Sequence, residues 1–123
     1  MRILAGWDNE PEAELILTFL GVEHEVEMAQ SADEFRAAVE AGGYYDVLLL
    51  AITMPDIDSG YELFQLARQE YPLTPILGAC AQSDVFRIVR FMANGLNAYV
   101  IRDSGGDYVF MLQSILELSL IHI

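Results

Sequence analysis

Lysine is absent from this chain, and six arginines stand against nineteen acidic residues. The resulting net charge of −13 over 123 residues argues against nucleic acid and anionic membrane surfaces as direct partners, since both would repel it. A basic protein partner stays open, as does the plainer reading that acidity keeps the domain soluble. Cysteine occurs once, at Cys80, so no internal disulfide can form and the chain suits a reducing compartment. No apolar run approaches the roughly 20 residues of a membrane span. The opening Met1-Arg2-Ile3-Leu4 leads into a strand-like run broken by Asp8 and Glu10, not into a secretory signal. A cytoplasmic location is expected. His24 and His122 have no ligand-spaced partner and read as surface residues.

What the chain does have is alternation between two kinds of segment, without repeats or linkers. Short apolar runs at Arg2 to Gly6, Tyr45 to Ile52, Pro75 to Cys80 and Ala98 to Ile101 read as buried strands. Val22 to Met28 sets Glu23, Glu25 and Glu27 against His24, Val26 and Met28, a period of two that suits a half-exposed edge strand. Between these runs the spacing predicts helices over Pro11 to Leu20, Ser31 to Ala41, Tyr61 to Tyr71, Asp84 to Ala93 and Asp107 to Leu120. Ser31 with Glu34 forms a capping box, Ser83 is a candidate cap, and Pro72 and Asn94-Gly95 are stop signals. Strand then helix, five times, predicts a doubly wound α/β fold with a five-stranded parallel sheet in one domain, 1–123. Function in such sheets gathers at the carboxyl ends of the strands. The segments to inspect are therefore Trp7 to Glu10, Ala51 to Gly60, Cys80 to Ser83 and Arg102 to Gly106.

Those segments resemble the response-regulator receiver family of two-component signalling, from Arg2 to about Leu118. The residues that carry the likeness are Arg2-Ile3-Leu4 through Trp7-Asp8-Asn9-Glu10, Asp46-Val47-Leu48-Leu49-Leu50-Ala51-Ile52-Thr53-Met54-Pro55, Gly60-Tyr61-Glu62-Leu63, Pro75 to Ala81, and Gly95 to Arg102. The resemblance implies a flavodoxin-like (βα)5 fold with strand order 2-1-3-4-5. The stretch Arg102-Asp103-Ser104-Gly105-Gly106-Asp107-Tyr108 resembles a receiver subgroup found in multidomain sensory proteins, with Asp103 where most receivers have proline. The apolar finish from Leu118 to Ile123 reads as a helix cut from a longer protein.

A receiver accepts a phosphoryl group on an aspartate, helped by Mg²⁺, an acidic pair, a hydroxyl residue and a lysine. A carboxylate is a poor nucleophile towards an anionic donor, so that charge must be neutralised. Carried over residue by residue, the resemblance puts Ala51 at the phosphoacceptor position and Trp7 with Asp8 at the acidic pair. Thr53 can offer only its backbone carbonyl, Cys80 takes the hydroxyl position and Arg102 the lysine position. Magnesium demands near-octahedral oxygen ligands, so two missing carboxylates are a severe loss. Asp56 and Asp58 replace Ala51 only if their loop folds inward; as a solvated turn, Asp58 or Ser59 caps the next helix. Asp8 with Glu10 reads as a weak divalent site or as a plain strand-end carboxylate. Cys80 reads as a redox switch or, by default, as a small buried hydrophobe.

No catalytic residue, cofactor or metal is expected, and the chain is not expected to be an enzyme. The leading expectation is a degenerate receiver acting as a protein-interaction or dimerisation module, with protein partners in a signalling pathway and a homodimer among them. Its interaction or switch face would include Arg87, Arg90 and Tyr99, where Arg87, Arg90 and Arg102 gather positive charge in an acidic chain. The alternative is a sensor that binds a small molecule in the vacated pocket beside Trp7 and Ala51. An unrelated enzyme on the same scaffold lacks any Gly-rich phosphate loop, triad or metal cluster in the sequence.

Overall fold

The computed structural model describes residues 1–102 and 107–121, the side chains of the last four excepted. Five strands and five helices alternate: β1 (Arg2–Gly6), α1 (Glu10–Leu20), β2 (Glu25–Ala29), α2 (Ala32–Ala41), β3 (Val47–Ala51), α3 (Ile57–Glu70), β4 (Ile76–Ala81), α4 (Ile88–Ala93), β5 (Ala98–Arg102) and α5 (Tyr108–Ile121). All strand pairs are parallel and the order is β2-β1-β3-β4-β5. The predicted doubly wound sheet is the observed one.

The central strand explains why helices cover both faces. Every residue of β3 is buried, and successive side chains point to opposite faces. Leu48 and Leu50 pack with Phe35, Phe64 and Phe91 on the side of α2, α3 and α4. Val47, Leu49 and Ala51 pack with Ile16, Leu112 and Leu116 on the side of α1 and α5. Each of the three leucines contributes about 2 kcal/mol by leaving water. The edge strand β2 keeps the expected alternation, with Glu25 and Glu27 exposed and Val26 and Met28 half-buried.

Helix ends follow local chemistry. Ser31 Oγ accepts from Glu34 N at 3.1 Å, while the Glu34 carboxylate reaches one residue further than a standard box, to Gln30 N. Gly42 ends α2 in the left-handed region at φ 72°, which favours glycine. Gly60 lies in α3 where a Cβ would come within 1.7 Å of the Ile52 carbonyl oxygen. Only a glycine lets α3 approach the end of β3 that closely.

Four expectations change. Asp56, rather than Asp58 or Ser59, caps α3 by accepting from Ser59 N at 2.8 Å, so the helix starts at Ile57 instead of Tyr61. The edge strand begins at Glu25 because Glu23 N and His24 N both turn back to Leu20 O. The predicted helix from Asp84 splits into a 3-10 turn (Gln82–Asp84) and the six-residue α4, with no side-chain cap from Ser83. Phe86, at the break, is 87% exposed; a turn that buries nothing lacks the packing that sustains short helices. His24 is half-buried rather than a surface residue, its Nδ1 3.3 Å from the terminal amine. His122 and the stretch 103–106 lie outside the described residues.

Candidate functional site

Parallel pairing brings the expected positions to one edge of the sheet. Gly6 aligns with Leu50, Ala51 with Ala79, Cys80 with Ile101 and Ala81 with Arg102. Trp7, Ala51, Cys80 and Arg102 therefore lie at or next to the carboxyl ends of four neighbouring strands. Thr53 follows in the turn after β3, half-buried.

The interior of this edge is apolar and closed. Trp7, Ala51 and Cys80 are all fully buried. Trp7 N extends the β1–β2 ladder by donating to Ala29 O at 3.0 Å, which turns the indole inward. The ring stacks on Tyr108 with centroids 6.5 Å apart and planes 10° from parallel. Its Nε1 donates to the Tyr108 hydroxyl at 3.0 Å. That hydroxyl donates in turn to Glu12 Oε1 at 2.5 Å. Arg102 closes the chain: its Nε donates to Glu12 Oε1 at 3.2 Å and its Nη2 to Glu12 Oε2. The two charged side chains are only 17% and 16% exposed.

The electrostatics follow from this closure. Burial pushes the Glu12 carboxyl upward, but hydrogen bonds from Arg102 and Tyr108 and the guanidinium charge outweigh it and leave Glu12 below the usual carboxylate range. Burial alone would lower Arg102; Glu12 reverses that and holds it more firmly protonated. The Tyr108 hydroxyl is driven well above its ordinary value by burial and by donating to Glu12. Cys80 is pushed up by burial first and Asp84 second, with Arg102 opposing, which is the opposite of a reactive thiolate.

Neither Glu12 nor Tyr108 was singled out as a site residue from the sequence. The available signal was Arg102 itself, since a guanidinium at a buried strand end requires a carboxylate, and the first turn of α1 supplies one. Asp8 instead lies exposed in an open cleft of about 430 Å³ with Gln30, Ser31, Arg36, Met54 and Ser59. No cluster of three His, Cys, Asp or Glu side chains placed to hold a metal occurs among the described residues.

The three arginines do not share one patch. Arg102 lies on the α1 and α5 face of β5, whereas Tyr99 packs on the other face with the α3 and α4 core. Arg87, at the start of α4, is exposed and 3.8 Å from Asp84. Arg90 lies 3.7 Å over the ring of Tyr61. These two border a cavity of about 290 Å³ with Ile57, Asp58, Tyr61 and Phe91.

The family model for the response regulator receiver domain matches residues 8–108. The chain belongs to the response regulator receiver family. No curated protein matches the sequence. Among solved structures it is similar to the N-terminal domain of a response regulator/sensory box/GGDEF 3-domain protein from Carboxydothermus hydrogenoformans, at 21% identity and TM-score 0.80, covering 98% of this chain and 94% of that one. It is also similar to the response regulator TrrA of Thermotoga maritima, at 24% identity and TM-score 0.74, covering 95% and 97%. The chemotaxis response regulator CheY4 of Vibrio cholerae matches at 21% identity and TM-score 0.73, covering 92% and 95%. At these identities the structures support the fold. No helix among the described residues is long and apolar enough to cross a membrane.

Proposed function

We propose that this receiver domain is not phosphorylated at the end of β3 and serves a signalling protein as a protein-interaction module. The observation that carries the reading is Ala51, fully buried at the end of β3, with Arg102 at the end of β5 committed to Glu12. A methyl group neither attacks phosphorus nor binds metal. Of the positions that the resemblance gives to Mg²⁺, only Asp8 still carries a carboxylate; Asp33, in the same cleft, faces Arg36, and both Glu12 oxygens are bonded by Arg102 and Tyr108. That set does not fit a hard octahedral cation. Asp56 is held in its capping bond to Ser59 N and does not substitute.

With the chemistry gone, the surface carries the function. Phe86, Val89 and Met92 stand exposed in and before α4, near Arg87 and Arg90, and exposed apolar groups beside cations suit a protein contact. The reading in which a small molecule occupies the vacated pocket has less support, because the stacked Trp7 and Tyr108 rings and the Ala51 methyl are buried there. Incubation with a small-molecule phosphodonor and Mg²⁺, followed by intact mass measurement, tests the proposal. No acyl-phosphate adduct is expected; a stable one on this chain overturns it.

A further inference from the structure

A second surface lies between α1 and α5. On α1, Glu12, Leu15 and Phe19 follow at three- and four-residue spacing and share a face, and Val22 follows in the turn after the helix. Glu12 is taken by Arg102, but Leu15, Phe19 and Val22 are exposed, Val22 to 82%. Phe19 meets Phe110 of α5 edge to face with centroids 4.5 Å apart, yet Phe110 remains 58% exposed. Next to this pair runs an open groove of about 490 Å³ lined by Thr18, Phe19, Val22, Glu23, Gln113 and Glu117.

Two carboxylates sit at its mouth. Gln113 Nε2 donates to Glu23 Oε2 at 3.3 Å and to Glu117 Oε1 at 3.4 Å, so one amide holds both acids on the groove. Among the described residues no arginine pairs with either: the ion pairs join Arg36 to Asp33, Arg87 to Asp84 and Arg102 to Glu12. Phe19 and Val22 in the groove, Phe110 beside it and two uncompensated carboxylates call for an occupant that is apolar on one side and cationic at its edges.

We propose that the α1–α5 groove binds a basic amphipathic helix of another protein, its apolar side chains against Phe19, Val22 and Phe110 and its lysines or arginines against Glu23 and Glu117. A second copy of this chain is the poorer fit. Two-fold pairing on this face would set Glu23 and Glu117 near their own copies in a chain of net charge −13 with no lysine to offer. The proposal does not depend on whether Ala51 silences the strand-end site, and its test involves no phosphodonor.

The probe is a synthetic fluorescein-labelled helix with leucine and phenylalanine on one face and lysine and arginine on the other, titrated with the full chain by anisotropy. The control peptide has glutamate in place of the basic residues. Only the basic peptide should bind, with affinity falling as salt is added. The double variant E23Q/E117Q should weaken binding about fivefold and flatten the salt dependence. Val22→Ser, at a position exposed enough to leave folding intact, should weaken it severalfold, while Leu73→Ser, another exposed position, should leave it unchanged. Failure of the basic peptide to bind, equal binding of the acidic control, or unchanged affinity in E23Q/E117Q overturns the proposal. So does a dimer in sedimentation equilibrium that Val22→Ser dissolves, which would assign the face to a second copy.

Discussion

Replacing Glu12 by glutamine removes the charge facing Arg102 while keeping a side chain of the same shape. Losing one partner of a fully buried ion pair costs about 3–5 kcal/mol, and an exposed pair is worth about 0–1 kcal/mol. With side chains 17% and 16% exposed and an amide oxygen still able to accept from Tyr108, E12Q should cost about 2 kcal/mol. For a domain of this size that lowers Tm by about 8 °C. Trp7 is the only tryptophan and bonds to Tyr108 within the network, so its fluorescence during urea denaturation reads the loss directly. The pH dependence fixes the cause. Glu12 is below its ordinary value in the folded state, so its stabilisation is complete above the unfolded carboxyl pKa near 4.5 and is lost as pH falls through the lowered folded value. The gap between wild type and E12Q should therefore close on acidification, and a cycle with Arg102→Met should return a coupling of about 2 kcal/mol. Equal stabilities at pH 7, or a gap that persists in acid, would refute the assignment.

Ala51→Asp should destabilise by about 3 kcal/mol, because it buries a carboxylate among Ala5, Ala13 and Leu77; chemical denaturation measures this, and the phosphodonor should still leave no adduct. Arg68→Met should cost about 3 kcal/mol, since the guanidinium donates to the carbonyls of Tyr71, Pro72, Thr74 and Gly95 and to Asn97 Oδ1; thermal unfolding by circular dichroism reads it. Gly60→Ala, a change that favours most exposed helices, should instead cost about 3 kcal/mol, because its Cβ would strike the Ile52 carbonyl. A melting temperature at or above wild type would contradict that clash.

The sheet was legible because Val47 to Ala51 is a short apolar run set between helical stretches, and its length and flanks favour a strand covered by helices on both faces. Strand ends were legible for the same reason, since parallel order forces residues 7, 51, 80 and 102 to one edge. Their contacts were not. Arg102 follows the sequence pattern of a strand end, but the direction of its guanidinium depends on Glu12, ninety residues away, and no local spacing encodes that pairing. Around residues 82–87 helical spacing was present and still misleading, because Phe86 found nothing to pack against. Asp56 caps α3 although the apolar periodicity begins later, at Tyr61.

The polar chain from Trp7 through Tyr108 and Glu12 to Arg102 ties the first βα unit to β5 and α5. A nascent or truncated chain that stops short of Tyr108 leaves the indole N–H without that acceptor. The N-terminal βα unit and the closing helix should thus exchange their amide protons together, as one late-forming cooperative unit.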